Sequence, residues 1–124
     1  MSGFIYLMHV PRDAEQVRNA DGYAEEMSNV ETFELSKEEF DYLNYVNRML
    51  VAFDKEFNLF IMECEEDTIE AEDIDKALDI ALEYAKKASS EMELSAVNKV
   101  LAALRFAKER GTFLEFDNPP NPKG

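Results

Sequence analysis

The pattern Ser-x-x-Glu precedes a series of apolar residues at helical spacing at two places in this chain, Ser36 with Glu39 and Ser90 with Glu93. In such a capping box the serine hydroxyl accepts the N–H of the glutamate and the glutamate carboxylate accepts the N–H of the serine, which fixes a helix start. Apolar residues follow each box at the three- and four-residue intervals of one helix face. They are Phe40, Leu43, Val46, Leu50, Phe53 and Phe57 after the first box, and Leu94, Val97, Leu101 and Leu104 after the second. The sequence therefore predicts two amphipathic helices, the second ending at Gly111.

Two further helices and one undecided run complete the helical pattern. Residues 12–20 fit a short helix. A second helix, capped by Asp67 or Thr68, has an apolar face that consists of Ile74, Ala77, Leu78, Ala81, Leu82 and Ala85. Residues 58–64 fit either an extension of the helix before them or a strand, because a short apolar run does not distinguish the two.

Three segments have the pattern of β-strands. Residues 4–9 are apolar on both alternating faces, which is typical of a strand covered on both sides, and Pro11 is expected to end it. Residues 31–35 and 112–116 alternate polar and apolar side chains. We therefore predict an α+β fold of about four helices, the last three the longest, packed on a small sheet that includes the N-terminal and C-terminal strands. Residues 1–117 are expected to form a single acidic domain, and residues 118–124 a frayed tail.

The charge of the chain limits its partners. There are 27 Asp and Glu against 13 Lys and Arg, a formal net charge of -14. This excess disfavours contact with nucleic-acid phosphates and with anionic membranes, and it attracts a basic protein. The alternative is that the charge only keeps the protein in solution. No apolar run approaches the ~18 residues that span a membrane, and the N-terminus lacks the pattern of a signal peptide, so we expect a cytoplasmic protein.

The sequence offers little for catalysis. His9, the only histidine, lies within a predicted strand, where a structural role is commoner than a catalytic one. Cys64, the only cysteine, is surrounded by glutamates, whose charge disfavours the reactive thiolate. The glycines are scattered, so no phosphate-binding loop is present, and neither Asp67 nor Asp73 begins a calcium loop with the required glycine. We predict that the protein is not an enzyme and takes no cofactor or metal.

An acidic segment is the candidate binding surface. Residues 63–75 contain eight Asp and Glu and no Lys or Arg. In the helix that follows, Asp75, Asp79 and Glu83 are four residues apart, so like charges stack on one side and destabilise the helix. The predicted partner-binding residues are Glu63, Glu65, Glu66, Asp67, Glu72, Asp75, Asp79 and Glu83. The alternatives are that these acids form a solvated face without a partner, or that the interface lies on Tyr42 and Tyr45.

The second half of the chain resembles a class of bacterial proteins. The segments that carry the resemblance are DTIE from residue 67, KALDIALEY from residue 76, VLAALRFA from residue 100 and GTFLEFD from residue 111. Their layout, over residues 35–117, resembles the immunity proteins of polymorphic-toxin and contact-dependent growth-inhibition systems. The resemblance implies an intracellular inhibitor that binds one toxin domain, in many cases a basic nuclease, and blocks its active site.

Two other functions fit the same sequence. One is a cytosolic regulatory or adaptor module that binds a protein partner. The other is a DNA mimic that inhibits restriction enzymes, although its acids should be spaced like phosphates over a long surface, whereas here they concentrate in one segment.

Overall fold

The computed structural model describes residues 5–15, 29–59, 61 and 67–117. Within them, helices pack on a four-stranded antiparallel sheet. The strands are β1 (Ile5–Pro11), β2 (Val30–Ser36), β3 (Asp67–Ile69) and β4 (Leu114–Asp117), in the sheet order β2-β1-β4-β3. The helices are α1 (Lys37–Asp41), α2 (Met49–Phe57), α3 (Ile74–Ala85) and α4 (Glu91–Arg110). The α+β prediction is confirmed, since the last three helices are the longest and the N-terminal and C-terminal strands lie side by side.

Strand pairing sorts the side chains of the sheet onto two faces. β1 lies between β2 and β4, so Met8 is opposite Phe33 on one side and Phe116 on the other. Because side chains alternate along a strand, His9 and its cross-strand partner Glu115 belong to the opposite face. We call the face of Met8 the core face and the face of His9 the back face.

Aromatic contacts attach three helices to the core face. The pairs are Phe40 of α1 with Tyr6 (3.9 Å between ring centroids), Phe53 of α2 with Phe116 (6.4 Å) and Phe106 of α4 with Phe33 (6.2 Å). Each pair brings apolar ring surfaces of a helix and the sheet together, and the pairs of Phe53 with Phe116 and of Phe106 with Phe33 also have the tilted or edge-to-face geometry that favours aromatic contacts. The remaining helix, α3, packs against α4 and α2, and the side of α3 turned away from them is exposed.

Both predicted capping boxes are present. At the start of α1, the N–H of Glu39 donates to Oγ of Ser36 at 3.1 Å, and the N–H of Ser36 donates to Oε1 of Glu39 at 2.9 Å. The corresponding bonds between Ser90 and Glu93, at the start of α4, are 3.1 and 3.3 Å long. Gly111 ends α4 in the left-handed conformation, with φ of 70°. These ends were predictable because each depends on residues within a few positions of one another.

The apolar stripe after Ser36 predicted one helix, and this is wrong. α1 ends at Asp41. It is followed by a wide, π-helical turn over Tyr42–Val46, in which backbone hydrogen bonds join residues five apart. Arg48 then adopts a left-handed conformation, with φ of 74°, before α2 begins. The wide turn holds more residues than an α-helical turn, so the three- and four-residue spacing loses its phase. Val46, predicted to be buried, is therefore 70 % exposed.

Asn47 holds this break in place. Asn47 is 2 % exposed, and its Nδ2 donates to the hydroxyl of Tyr42 at 3.1 Å and to the carbonyl of Tyr84 at 3.0 Å. Its Oδ1 accepts the N–H of Met49 at 3.2 Å, in the first turn of α2. The asparagine thus joins the wide turn to the last turn of α3, and the break also sets where α2 lies against α3.

The predicted start of α3 is also corrected. Asp67 and Thr68 do not cap a helix, because they belong to β3, in which Thr68 is opposite Glu115 of β4. α3 begins at Ile74, after a 3-10 turn over Ala71–Asp73. The pairing of β3 with β4 joins residues more than forty positions apart, so no local sequence pattern predicts it.

Several boundaries and exposures differ from the pattern. Leu82 and Leu94, predicted to be buried, are each 43 % exposed. The buried face of α3 is narrower than predicted, and that of α4 begins only at Ala96. β1 continues through Pro11, which is tolerated because β4 pairs only with residues 7–9 and needs no N–H from the proline. β4 begins at Leu114. The predictions for residues 12–20, 58–64 and 118–124 fall wholly or largely outside the described residues.

Candidate protein-binding face

The eight predicted partner-binding residues divide into three groups. Three lie outside the described residues, namely Glu63, Glu65 and Glu66. Of Asp67 only the backbone is described, and Glu72 is exposed on the 3-10 turn. The other three are exposed along one side of α3 and are called the acidic row: Asp75, Asp79 and Glu83. The structure thus brings together the part of the prediction that lies on α3.

Lysines compensate part of the acidic row. Nζ of Lys108, in α4, lies 2.7 Å from Oδ1 of Asp75. This hydrogen bond and the charge of Asp75 raise the pKa of Lys108, and the charge of Asp79 raises it further. Nζ of Lys86 lies 3.4 Å from Oε1 of Glu83 along the same helix. Asp79 makes no ion pair with any other described residue, so it is the acid of the row most open to a partner.

A groove of about 550 Å³ runs between α2 and α3, beside the acidic row. Its apolar lining is Ala52, Ile80 and Tyr84. Its charged lining is Lys55 and Glu56 from α2, and Lys76, Asp79 and Glu83 from α3. Two members of the acidic row therefore also border the groove, which places carboxylates next to an apolar surface.

Contacts at both ends of the groove show that α2 and α3 run antiparallel. At one end Nζ of Lys76 lies 2.8 Å from Oε2 of Glu56, and at the other Asn47 donates to the carbonyl of Tyr84 at 3.0 Å. The hydrogen bond and charge of Glu56 raise the pKa of Lys76. Sequence reasoning missed the groove because it depends on the placement of one helix against another. No local pattern contains that information.

The tyrosines weighed as an alternative interface have different environments. Tyr42 is 5 % exposed and its hydroxyl accepts a hydrogen bond from Asn47, so it belongs to the core. Tyr45 is 58 % exposed, next to the exposed Val46. Only Tyr45 of the two is therefore available to a partner. It lies two residues before Asn47, which is bonded to the Tyr84 end of the groove.

His9 lies in a polar cluster on the back face. Its Nδ1 is 3.0 Å from Oγ1 of Thr32 and its Nε2 is 3.1 Å from Oδ2 of Asp117, and the histidine is 6 % exposed. Glu115, on the same face, is 1 % exposed. These contacts fit the predicted structural role of the histidine, because each ring nitrogen has a hydrogen-bonding partner. Among the described residues, no group of three His, Cys, Asp or Glu is arranged to hold a metal ion.

No helix in the described part of the chain is both long enough and apolar enough to cross a membrane. No protein-family model, curated protein or solved structure matches the chain. The resemblance to immunity proteins therefore stays a prediction, and the acidic row with the groove beside it is the candidate binding surface.

Proposed function

We propose that this protein is a cytoplasmic immunity-type inhibitor, and that the acidic row of α3 binds a basic toxin domain. The observation that supports the proposal most directly is the position of Asp79 and Glu83, which are exposed and border an apolar groove. Around them, residues 67–85 contain seven Asp and Glu and one lysine. Carboxylates beside an apolar surface fit the common arrangement of protein interfaces, in which an apolar centre is surrounded by a polar rim.

The mechanism is occlusion of the toxin. Carboxylates of the acidic row pair with the cationic groups that otherwise hold the toxin's substrate, and the bulk of the inhibitor then covers that site. The net charge of -14 steers a basic domain toward this face, and such steering raises association rates by roughly 10 to 10³. The groove buries apolar surface, which slows dissociation of the complex. Charges at the rim act mainly on the association rate.

Compensation within the acidic row argues against the DNA-mimic alternative. A mimic needs an extended, uniformly anionic surface, whereas Asp75 is paired with Lys108 and Glu83 lies near Lys86. The adaptor alternative uses the same face and differs only in the consequence of binding, because an adaptor leaves its partner active. One experiment therefore separates it from the inhibitor.

That experiment is co-expression of the protein with the toxin domain that the proposal expects to be encoded beside its gene. We expect the wild-type protein to restore growth, and the variant Asp79→Lys/Glu83→Lys to restore little. The control is Glu34→Lys/Glu38→Lys, which changes the net charge equally at exposed positions of β2 and α1. Binding of the neighbouring domain without protection would identify an adaptor. The absence of binding would contradict the proposal.

A further inference from the structure

The groove between α2 and α3 has an apolar floor and two electrically different ends. Ile80 and Ala52 belong to its apolar lining, which we call the floor. Toward the end of α2, the ammonium of Lys76 is already paired with Glu56 at 2.8 Å. Toward the end of α3, the carboxylate of Glu83 borders the groove next to Tyr84. Lys55 of α2 adds one positive charge to the lining, against the two carboxylates of Asp79 and Glu83. The charge that the groove offers to an incoming group is therefore net negative, and the negative charge lies on the α3 wall.

We propose that this groove binds one amphipathic helix of the basic partner, an inference that rests on the proposed function. Apolar side chains spaced three and four residues apart on that helix cover Ile80 and Ala52, while its Arg or Lys side chains reach Asp79 and Glu83. Tyr84 lies at the edge of the same floor and is half-buried. Tyrosine is among the residues that contribute most to binding energy at interfaces.

The two walls of the groove are helices, which favours a helix as the occupant. Two antiparallel helices present ridges and grooves of side chains, into which a third helix packs. An extended peptide gains its affinity from backbone hydrogen bonds to a strand edge. The backbone groups of α2 and α3 are used within their own helices, so these walls offer a strand no such partners.

A second copy of this chain is a poor occupant. In a two-fold symmetric contact the same patch meets itself, which would bring two acidic rows together. Each copy carries a net charge of -14, so the encounter is repulsive at low salt. A basic helix has the complementary charge and the same apolar requirement.

The test uses two labelled peptides and fluorescence anisotropy at low salt. The first is a helical peptide of about four turns with leucines at three- and four-residue spacing and arginines elsewhere. The second has the same composition in shuffled order, so its charge is equal but its apolar face is lost. We expect the amphipathic peptide to bind at least about tenfold more tightly than the shuffled one.

Matched variants locate the site of peptide binding. Ala52→Trp fills the groove, and Ala102→Trp adds the same ring at an exposed position of α4. The first should weaken binding of the amphipathic peptide by about tenfold or more, and the second by less than about twofold. Asp79→Asn/Glu83→Gln, which alters only exposed side chains, should also weaken it and serves if Ala52→Trp does not fold.

Equal binding of the two peptides, or equal affinities of the two tryptophan variants, would overturn the groove proposal. Unchanged binding by Asp79→Asn/Glu83→Gln would overturn the basic character of the occupant. The co-expression assay separates this failure from failure of the proposed function. If the wild type and Ala52→Trp protect equally, the groove is not used. If the wild type itself gives no protection, the inhibitor function is wrong.

Discussion

The ammonium group of Lys108 lies 2.7 Å from a carboxylate oxygen of Asp75, and this pair joins α4 to the first turn of α3. From sequence, Asp75 belongs to a row of like charges whose removal should stabilise the helix. The structure changes that expectation, because reversing Asp75 breaks a contact between two helices and places a positive charge beside Lys108.

Asp75→Lys should therefore lower the melting temperature slightly, and the exchange Asp75→Lys/Lys108→Asp should restore most of the loss. Both side chains are solvent-exposed, so the effect should be small and should fade in high salt. Thermal melts at low and high salt measure it. If Asp75→Lys raises the melting temperature, the pair does not stabilise the protein.

Glu39 should make stability depend on pH. Burial alone would raise the pKa of Glu39, but the hydrogen bond from Lys99 at 2.9 Å, together with bonds from Ser36 and Ser95, lowers it below its ordinary value of 4.5. A group with a depressed pKa stabilises the folded state above its unfolded pKa, and that contribution is lost as the pH falls through the folded pKa. Glu39→Gln should thus cost about 1 kcal/mol at neutral pH, and the difference should shrink steadily below pH 4.5.

The matched control for this prediction is Glu93→Gln, at the same position of the second capping box. Hydrogen bonds from the N–H groups of Ser89 and Ser90 lower the pKa of Glu93. Among the described residues, the carboxylate of Glu93 is bonded only to these serines, whereas the carboxylate of Glu39 also accepts a hydrogen bond from Lys99. Glu93→Gln should therefore destabilise the protein less than Glu39→Gln. Chemical denaturation from neutral pH to pH 3 compares them. A pH-independent difference between Glu39→Gln and wild type would contradict the role given to this carboxylate.

Arg48 and Gly111 adopt nearly the same left-handed backbone, with φ of 74° and 70°. Glycine takes this conformation without the steric penalty that other residues meet, which is about 1 kcal/mol. Arg48→Gly should consequently stabilise the protein by several tenths of a kcal/mol or more, while Gly111→Ala should destabilise it by about 1 kcal/mol. Urea denaturation of both variants tests whether their changes in the free energy of unfolding have these opposite signs. A destabilised Arg48→Gly would mean that the lost arginine side chain, together with the extra freedom of glycine in the unfolded chain, outweighs the relief of backbone strain.

The back-face cluster should be structural. His9→Phe removes the partner of the buried Asp117 and should cost about 1–3 kcal/mol. His9→Phe/Asp117→Leu should recover part of that loss, because both polar groups are then replaced. Partner affinity of these variants, measured below their melting temperature, should equal that of the wild type. Lost binding in a folded His9→Phe protein would indicate that the back face takes part in function.

The sequence predicted those features whose causes are local. The two capping boxes, the glycine end of α4 and the alternation of β2 each depend on neighbouring residues, and all are present. The break before α2 was not predictable in this way. It depends on the bond from Asn47 to the carbonyl of Tyr84, 37 residues later.

The same distinction applies to the candidate site. The spacing of Asp75, Asp79 and Glu83 predicted a shared side of α3, and they share it. The lysine that pairs with Asp75 comes from another helix, and the groove comes from the packing of α2 on α3. Neither the pair of Asp75 with Lys108 nor the groove depends on adjacent residues. The charge pattern alone therefore overestimated how many acids of the row are free of a lysine partner.

The binding role of the acidic row is tested most directly by association kinetics with the toxin domain that the proposed function expects to be encoded beside the gene. Rate constants would be measured by stopped-flow over a range of salt for the wild type, Asp79→Lys/Glu83→Lys and the control Glu34→Lys/Glu38→Lys. We expect the row variant to associate at least about tenfold more slowly at low salt, with a flatter salt dependence, and the control to change much less. Equal slowing by both variants would show that only net charge matters, and would contradict a binding face on α3.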